Sequence, residues 1–358
     1  MDLNFTEEQN LLRESLSRYL ADNYSFEHRK GYLEAGSSLV AQSLDEMGLN
    51  ALTLSEDDGG FGGNSVDTAI VMEELGRALV TEPYLGSTVI GTALLAGKPG
   101  DVVGNGKSVA AALTEMGGRY DLNHVATKAS KNGDGYKIDG SKVMVLNATD
   151  ADTVLVTARL NGDLRDQAGI GLFAVTKDAE GMSTKGYVTQ DGMQAGDVDF
   201  DGVEAALLVE DAWPTIDKAF DQVNSAICAE AVGAMEAVTK LTKEYLQTRQ
   251  QFGRPLATFQ ALQFRLVDMM VAVTEARAIS LKASMLADSN DVVERNRTVS
   301  AAKVKVCEAA RLVGQDAIQL HGGIGMTNEY AAGHYFKRLT MICQSFGDRD
   351  WHLKRFIG

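Results

Sequence analysis

Thr248-Arg249-Gln250-Gln251-Phe252-Gly253-Arg254-Pro255-Leu256-Ala257-Thr258-Phe259-Gln260 interrupts two long helical patterns with a break at Gly253 and Pro255. Around that break stand two guanidinium groups, Arg249 and Arg254, and two aromatic rings, Phe252 and Phe259. A guanidinium is a fixed cation with a planar donor fork suited to phosphate, and the rings can wall an apolar slot beside it. A Gly-x-Pro turn also joins two helices with no ligand at all. Spacing alone leaves both readings open.

Upstream of the break, Ile216, Phe220, Val223, Ile227, Ala234, Val238, Leu241 and Tyr245 keep a continuous three-four spacing after Trp213-Pro214. Downstream, Phe259, Leu262, Leu266, Met269, Val273 and Ala276 mark a second helix. Val299, Val306, Ala310, Val313, Ala317 and Leu320 mark a third. Tyr335, Leu339, Ile342 and Phe346 read as a fourth. Long helices joined by short turns predict an antiparallel four-helix bundle over 213–358.

Before the bundle, the apolar runs are short and punctuated by Gly, Asp and Asn. Ser108–Leu113, Tyr136–Ile138, Lys142–Leu146, Thr153–Ala158 and Leu172–Thr176 read as strands, and Asn132-Gly133-Asp134-Gly135 as a hairpin turn. A small barrel or sandwich is expected over 107–212. Residues 1–106 read as helices. Thr6-Glu7-Glu8-Gln9 is a capping box ahead of Leu12, Leu16, Tyr19 and Leu20. A second pattern runs through Leu39, Leu44 and Met47 to a stop at Gly48, and helical spacing returns at Ala69, Met72, Leu75 and Leu79. Between them, carboxylates flank the glycines of Glu56–Gly63 and disfavour an anion, so a plain loop is expected. The fold class is therefore α+β multidomain: helical, then β, then a helical bundle.

A net charge of −15 over 358 residues excludes a general nucleic-acid partner, which needs a basic field. The first residues carry acids and no long apolar run, so neither a signal peptide nor a membrane span is expected, and the location read is cytoplasmic. Cys228, Cys307 and Cys343 show no paired spacing and read as buried free thiols in a reducing compartment. His124 stands alone, and no metal-ligand spacing occurs.

The order of domains, together with Arg249–Leu256 and Phe259-Gln260, resembles the acyl-CoA dehydrogenase family and its Arg-x-Gln-Phe-Gly-x-Pro motif. Gln319-Leu320-His321-Gly322-Gly323-Ile324-Gly325 matches that family's second C-terminal signature, and follows a helix rather than the strand a Rossmann fingerprint needs. Phe5–Gln9, Glu73-Glu74-Leu75-Gly76-Arg77 and Ala112-Leu113-Thr114-Glu115 also fit. The resemblance implies an FAD enzyme that oxidises an acyl-CoA thioester across its α and β carbons. A glutamate would take the α proton, flavin N5 the β hydride, and an electron-transfer flavoprotein the electrons. It also implies that the C-terminal motifs reach the ADP half of a neighbouring subunit's FAD. Arg249 would then pair with the pyrophosphate. Gln251, Phe252, Leu256 and Phe259 would contact that half, and Gln319, Gly322 and Gly323 would line the adenosine end.

Departures from the family pattern are informative. The flavin loop continues as Met116-Gly117-Gly118-Arg119-Tyr120-Asp121, without the usual small hydroxyl residues. Met144 replaces a Trp and Leu146 a Thr beside the flavin ring, and a leucine cannot hydrogen-bond the ring edge. The commonest catalytic glutamate aligns with Phe346, the alternative with Val223, and a CoA-side cation with Asn224. Two acids remain as substitutes. Glu230 flanks the apolar stripe, where burial would raise its pKa toward that of a base, or where it would pair with an Arg such as Arg265 or Arg277 as a structural salt bridge. Asp348 reads as a surface or capping acid, and His321 as an interface hydrogen-bonding group.

The resemblance narrows to the small, pimeloyl-CoA dehydrogenase-like subunits of heteromeric bacterial enzymes, which share the Phe346-Gly347-Asp348 ending. It implies a chain without a glutamate that completes the FAD site of a catalytic partner, in a heterotetramer with two copies of each. The alternatives are a self-sufficient dehydrogenase using Glu230, a flavin monooxygenase of the same fold and a silent scaffold.

Overall fold

The computed structural model describes residues 4–35, 40–95 and 107–358. It divides into two compact units. One gathers Met1–Val40, Asn64–Val80 and Asn224–Gly358; the other gathers Ala41–Gly63 and Thr81–Val223. Leu39, placed on a helical face by its spacing, lies outside the described residues.

The N-terminal helices are α1 (Glu7–Asn23), α2 (Phe26–Ala35), α3 (Val40–Glu46), α4 (Ser65–Ala78) and α5 (Ile90–Leu95). The capping box at the head of α1 forms: Thr6 Oγ1 accepts from Gln9 N at 3.2 Å, and Gln9 Oε1 accepts from Thr6 N at 3.0 Å. Gly48 adopts φ +75°, the left-handed conformation that closes α3.

The strands are β1 (Val109–Ala112), β2 (Lys128–Asn132), β3 (Gly135–Leu146), β4 (Thr153–Arg159), β5 (Ile170–Thr176), β6 (Met182–Val188) and β7 (Gln194–Val209). Pairings run β4–β2–β3–β7–β5 and return from β5 to β4, so the sheet closes on itself as a barrel. The hairpin at Asn132–Gly135 joins β2 to β3, with Gly133 at φ +60°. The two strands expected at Tyr136–Ile138 and Lys142–Leu146 are one strand. Its register shifts on either side of Gly140–Lys142, where polar residues break the apolar alternation. β2, β6 and β7 were not expected from the sequence, because their faces alternate with solvent and carry Lys, Asp and Glu. Ile138, Val156, Phe173, Val198 and Val203 fill the barrel core.

The C-terminal helices are α6 (Trp213–Thr248), α7 (Gln260–Leu286), α8 (Val292–His321), α9 (Ala331–Gln344) and α10 (Arg349–Ile357). A short hairpin, β8 (Gln250–Gln251) with β9 (Arg254–Pro255), separates α6 from α7. One expectation fails at the last turn of α9. Phe346 does not extend its stripe: the helix ends at Gln344, and Phe346 adopts φ +53° in the link to α10. Asp348 then caps α10, accepting from Trp351 N at 2.8 Å, as a capping acid should.

The Glu73–Arg77 motif has a packing explanation. A Cβ on Gly76 would lie 2.1 Å from the Glu230 carbonyl oxygen, and one on Gly233 would lie 1.9 Å from that of Glu73. α4 and α6 therefore cross backbone to backbone, which only glycine permits. Arg77, Arg277, Glu73 and Glu236 close the crossing as an ion-pair network.

Candidate functional site

The opening stretch folds as a tight hairpin. Phe252 (φ +54°) and Gly253 (φ +74°) are its two central residues, both in the left-handed region of a type I′ turn. That turn favours Asn-Gly, and an aromatic residue there is strained. The Phe252 ring is 88% exposed, so no burial within the chain offsets the strain. It meets Phe259 edge-on at 6.0 Å between ring centroids, and the Arg254 guanidinium stacks on Phe259 at 4.1 Å. Arg249 and Arg254 are both exposed, and among the described residues neither meets a carboxylate. In a chain of net charge −15, two unneutralised guanidinium groups on one turn are conspicuous. Gln251 is exposed, while Leu256 and Phe259 are half-buried under the turn.

The second motif lies next to the first. Tyr245, in the last full turn of α6, packs on His321 at the end of α8 with ring centroids 4.6 Å apart, and Tyr330 closes on the other ring at 5.0 Å. His321 Nδ1 lies 2.8 Å from the Ala317 carbonyl oxygen, while its buried Nε2 has no hydrogen-bond partner among the described residues. Burial pushes its pKa down, so the ring is neutral. His321 therefore braces one motif against the other. Beyond it, Gln319, Gly322 and Gly323 are exposed, and a Cβ on either glycine would meet nothing within 4 Å. Exposed guanidinium groups beside glycines that allow close backbone approach suit a diphosphate-bearing ligand.

The positions expected beside a flavin ring are differently furnished. Met144 sits at a β-bulge with φ +55°, its N–H donating to Asp197 at 3.2 Å. Leu146 packs against the backbone of Gly86, where an added Cβ would come within 2.6 Å of Leu146 Cβ. Glu115, at the start of the flavin-loop segment, is held by a buried Lys142 at 2.8 Å and by the N–H groups of Ala126 and Thr127. Burial raises the Glu115 pKa, but Lys142 and those donors outweigh it and hold the carboxylate charged. Burial brings the Lys142 ammonium down to about 8, with Glu115 opposing. This corner is polar-structural, and the Leu146 position offers no hydrogen bond to a ring.

At the catalytic positions no carboxylate appears. Val223 and Asn224 are buried. Lys303, fully buried on α8, donates to Asn224 Oδ1 at 3.2 Å and to the Ser345 carbonyl oxygen at 2.6 Å. One ammonium thus ties the two places where a base was sought. The sequence carried a signal for it: Lys303 falls on the apolar stripe between Val299 and Val306. Glu230 is buried as expected, but its partner is neither Arg265 nor Arg277. Arg338 holds it with two parallel bonds, Nε–Oε1 2.5 Å and Nη2–Oε2 2.7 Å. Arg265 pairs with Asp316, and Arg277 with Glu73 and Glu236. The fork occupies both oxygens, leaving no base poised for a substrate proton.

Comparison with known proteins settles the family. The acyl-CoA dehydrogenase N-terminal, middle and C-terminal domain models match residues 6–98, 110–203 and 211–353. The acyl-CoA dehydrogenase IpdE2 of Mycobacterium tuberculosis is 31% identical over 93% of this chain and 91% of its own length. The chain belongs to the acyl-CoA dehydrogenase family. The probable acyl-CoA dehydrogenase YngJ of Bacillus subtilis is 30% identical over 100% of this chain and 98% of its own. Among solved structures, the Tcur3481-Tcur3483 steroid ACAD matches with a TM-score of 0.87 and 27% identity, covering 98% of this chain and 96% of that one. Acyl-CoA dehydrogenases are FAD flavoproteins and oxidoreductases. The expected order along the chain, helical N-terminal and C-terminal regions with a β region between, is the one found. No helix among the described residues is long and apolar enough to cross a membrane.

Proposed function

We propose that this chain is the non-catalytic subunit of a heteromeric, FAD-dependent acyl-CoA dehydrogenase. Its two C-terminal motifs clasp the diphosphate and adenosine half of an FAD held mainly by a partner chain, and the partner supplies the glutamate for α,β-desaturation. The carrying observation is the contrast within one molecule. Arg249, Arg254, Gln319, Gly322 and Gly323 stay open and unneutralised. Meanwhile the base positions hold Phe346 and Val223, and Lys303 cross-braces the residues beside them.

A second observation favours a partner. α7 is apolar on both sides: Met269, Val273 and Ala276 are buried, while Phe264, Val267, Met270 and Val271 are exposed. A run of exposed apolar side chains along one helix marks an interaction surface. Tcur3481-Tcur3483 is itself named as a pair, which agrees with a two-chain enzyme. The FAD, acyl-CoA and electron-transfer flavoprotein enter this reading through the family. The self-sufficient alternative through Glu230 is disfavoured by its fork with Arg338, and a flavin monooxygenase by Leu146.

The test is expression of the chain alone and together with any acyl-CoA dehydrogenase that a neighbouring gene encodes. Colourless chain alone, with flavin and activity appearing only on co-expression, supports the reading. Flavin-replete, active chain alone overturns it.

A further inference from the structure

The three cysteines, isolated in sequence, come from three helices that pack together: Cys228 on α6, Cys307 on α8 and Cys343 on α9. They are not equivalent. Cys228 is fully buried. Cys343, expected to be buried, is half-exposed, and its thiol lies 3.8 Å from the Cys307 carbonyl oxygen.

The backbone brings them close for a visible reason. Two turns along α8 from Cys307, Gly314 packs under Phe336 of α9, where an added Cβ would stand 3.1 Å from the ring. That small residue lets α8 and α9 approach in antiparallel register, which sets Cys307 opposite Cys343. Both line a cavity of about 900 Å3 shared with Arg311, Thr340 and Asp348. A small solute therefore reaches this pair and not Cys228.

We propose that Cys307 and Cys343 form a redox-responsive dithiol that closes to a disulfide when a hydroperoxide enters the cavity between α8, α9 and α10. Lys303 stands one helical turn before Cys307 on α8. The neighbouring Cys343 thiol and, against the effect of burial, the Lys303 ammonium lower the Cys307 pKa and favour its thiolate. That thiolate attacks a peroxide oxygen: the S–O bond forms, the O–O bond breaks, and the leaving hydroxide takes up a proton to become water. Cys343 sulfur then attacks Cys307 sulfur, and the S–S bond forms as the S–O bond breaks. The second oxygen leaves as water with the Cys343 proton. Two electrons pass from the thiols to the peroxide. Cys228, which burial pushes up to about 12, stays a thiol and serves as an internal control.

The experiment uses the full-length chain, treated with one equivalent of hydrogen peroxide, unfolded in alkylating reagent and mapped by peptide mass spectrometry. The titratable thiols should fall from three to one, with Cys307 and Cys343 peptides joined in a bond that dithiothreitol reverses. In Cys343→Ser, dimedone should label Cys307 as a sulfenic acid. Three thiols persisting, a link through Cys228, or a link only between separate chains overturns the proposal. So does over-oxidised Cys307 without a disulfide in the unsubstituted chain.

Discussion

Glu230 and Arg338 form a buried two-point ion pair, with Nε–Oε1 at 2.5 Å and Nη2–Oε2 at 2.7 Å. Removing one partner of such a pair strands the other charge in a poorly solvated site, at a cost of about 3–5 kcal/mol. Glu230→Gln should therefore lower the urea midpoint substantially. A catalytic Glu230 would instead leave stability nearly intact and abolish turnover of the assembled enzyme. Measuring both separates the two roles.

His352 gives a pH prediction. Its Nε2 donates to the Phe346 carbonyl oxygen at 2.9 Å, and Nδ1 faces Ser300 Oγ at 3.3 Å, so the neutral ring is satisfied. Burial, and then the Lys303 ammonium, depress its pKa from 6.5 to about 3. The unfolded chain takes up this proton first. The contribution is thus complete above pH 6.5 and is lost as pH falls toward 3. Between pH 7 and 5 this one group should remove about 2 kcal/mol. His352→Gln should flatten the slope by that amount, read from urea unfolding at the two pH values.

Phe252 occupies a turn position suited to asparagine, at φ +54°. Phe252→Asn should stabilise the isolated chain by about 1 kcal/mol through relief of strain. The same change removes an exposed ring from the clasp, and should weaken assembly with the partner by about tenfold or more. Thermal melts and a binding titration should move in opposite directions. A change that stabilises the chain without weakening assembly would assign Phe252 no part in the interface.

Restoring a carboxylate at the aligned base position should not restore catalysis to the chain alone. Lys303 already donates to the carbonyl of the preceding residue, Ser345, at 2.6 Å. In Phe346→Glu the new carboxylate would be stabilised in its charged form by that ammonium, which weakens it as a base. Leu146 would still offer the ring no hydrogen bond. Acyl-CoA oxidation by this variant without a partner should stay at background; turnover would show that only the glutamate was missing.

Much of the fold was legible because long amphipathic helices repeat their signal many times. The stripes through Val238 and Val306 each fall within a single helix, and those through Met269 and Leu339 do so except at Phe259 and Phe346. The strands were harder. β7 runs Gln194–Val209 with acids at alternating positions, and its inward residues are visible only once its neighbours are known. Phe346 continues a periodic pattern on paper, yet the helix ends two residues earlier. Periodicity does not mark where a backbone leaves the helical region. The partner of Glu230 was likewise hidden. Three arginines on neighbouring helices compete for it, and helix rotation decides among them. Lys303 was passed over, although a charge set within an apolar stripe signals polar partners inside.

The central claim is that Arg249 holds the diphosphate of an FAD seated mainly in another chain. The most direct measurement is the FAD affinity of the co-expressed complex with Arg249→Ala, alongside sedimentation to show that the complex still forms. Losing a charge-assisted contact to phosphate should weaken FAD about ten- to a hundred-fold while assembly persists. An intact complex that keeps its full FAD affinity would contradict the account.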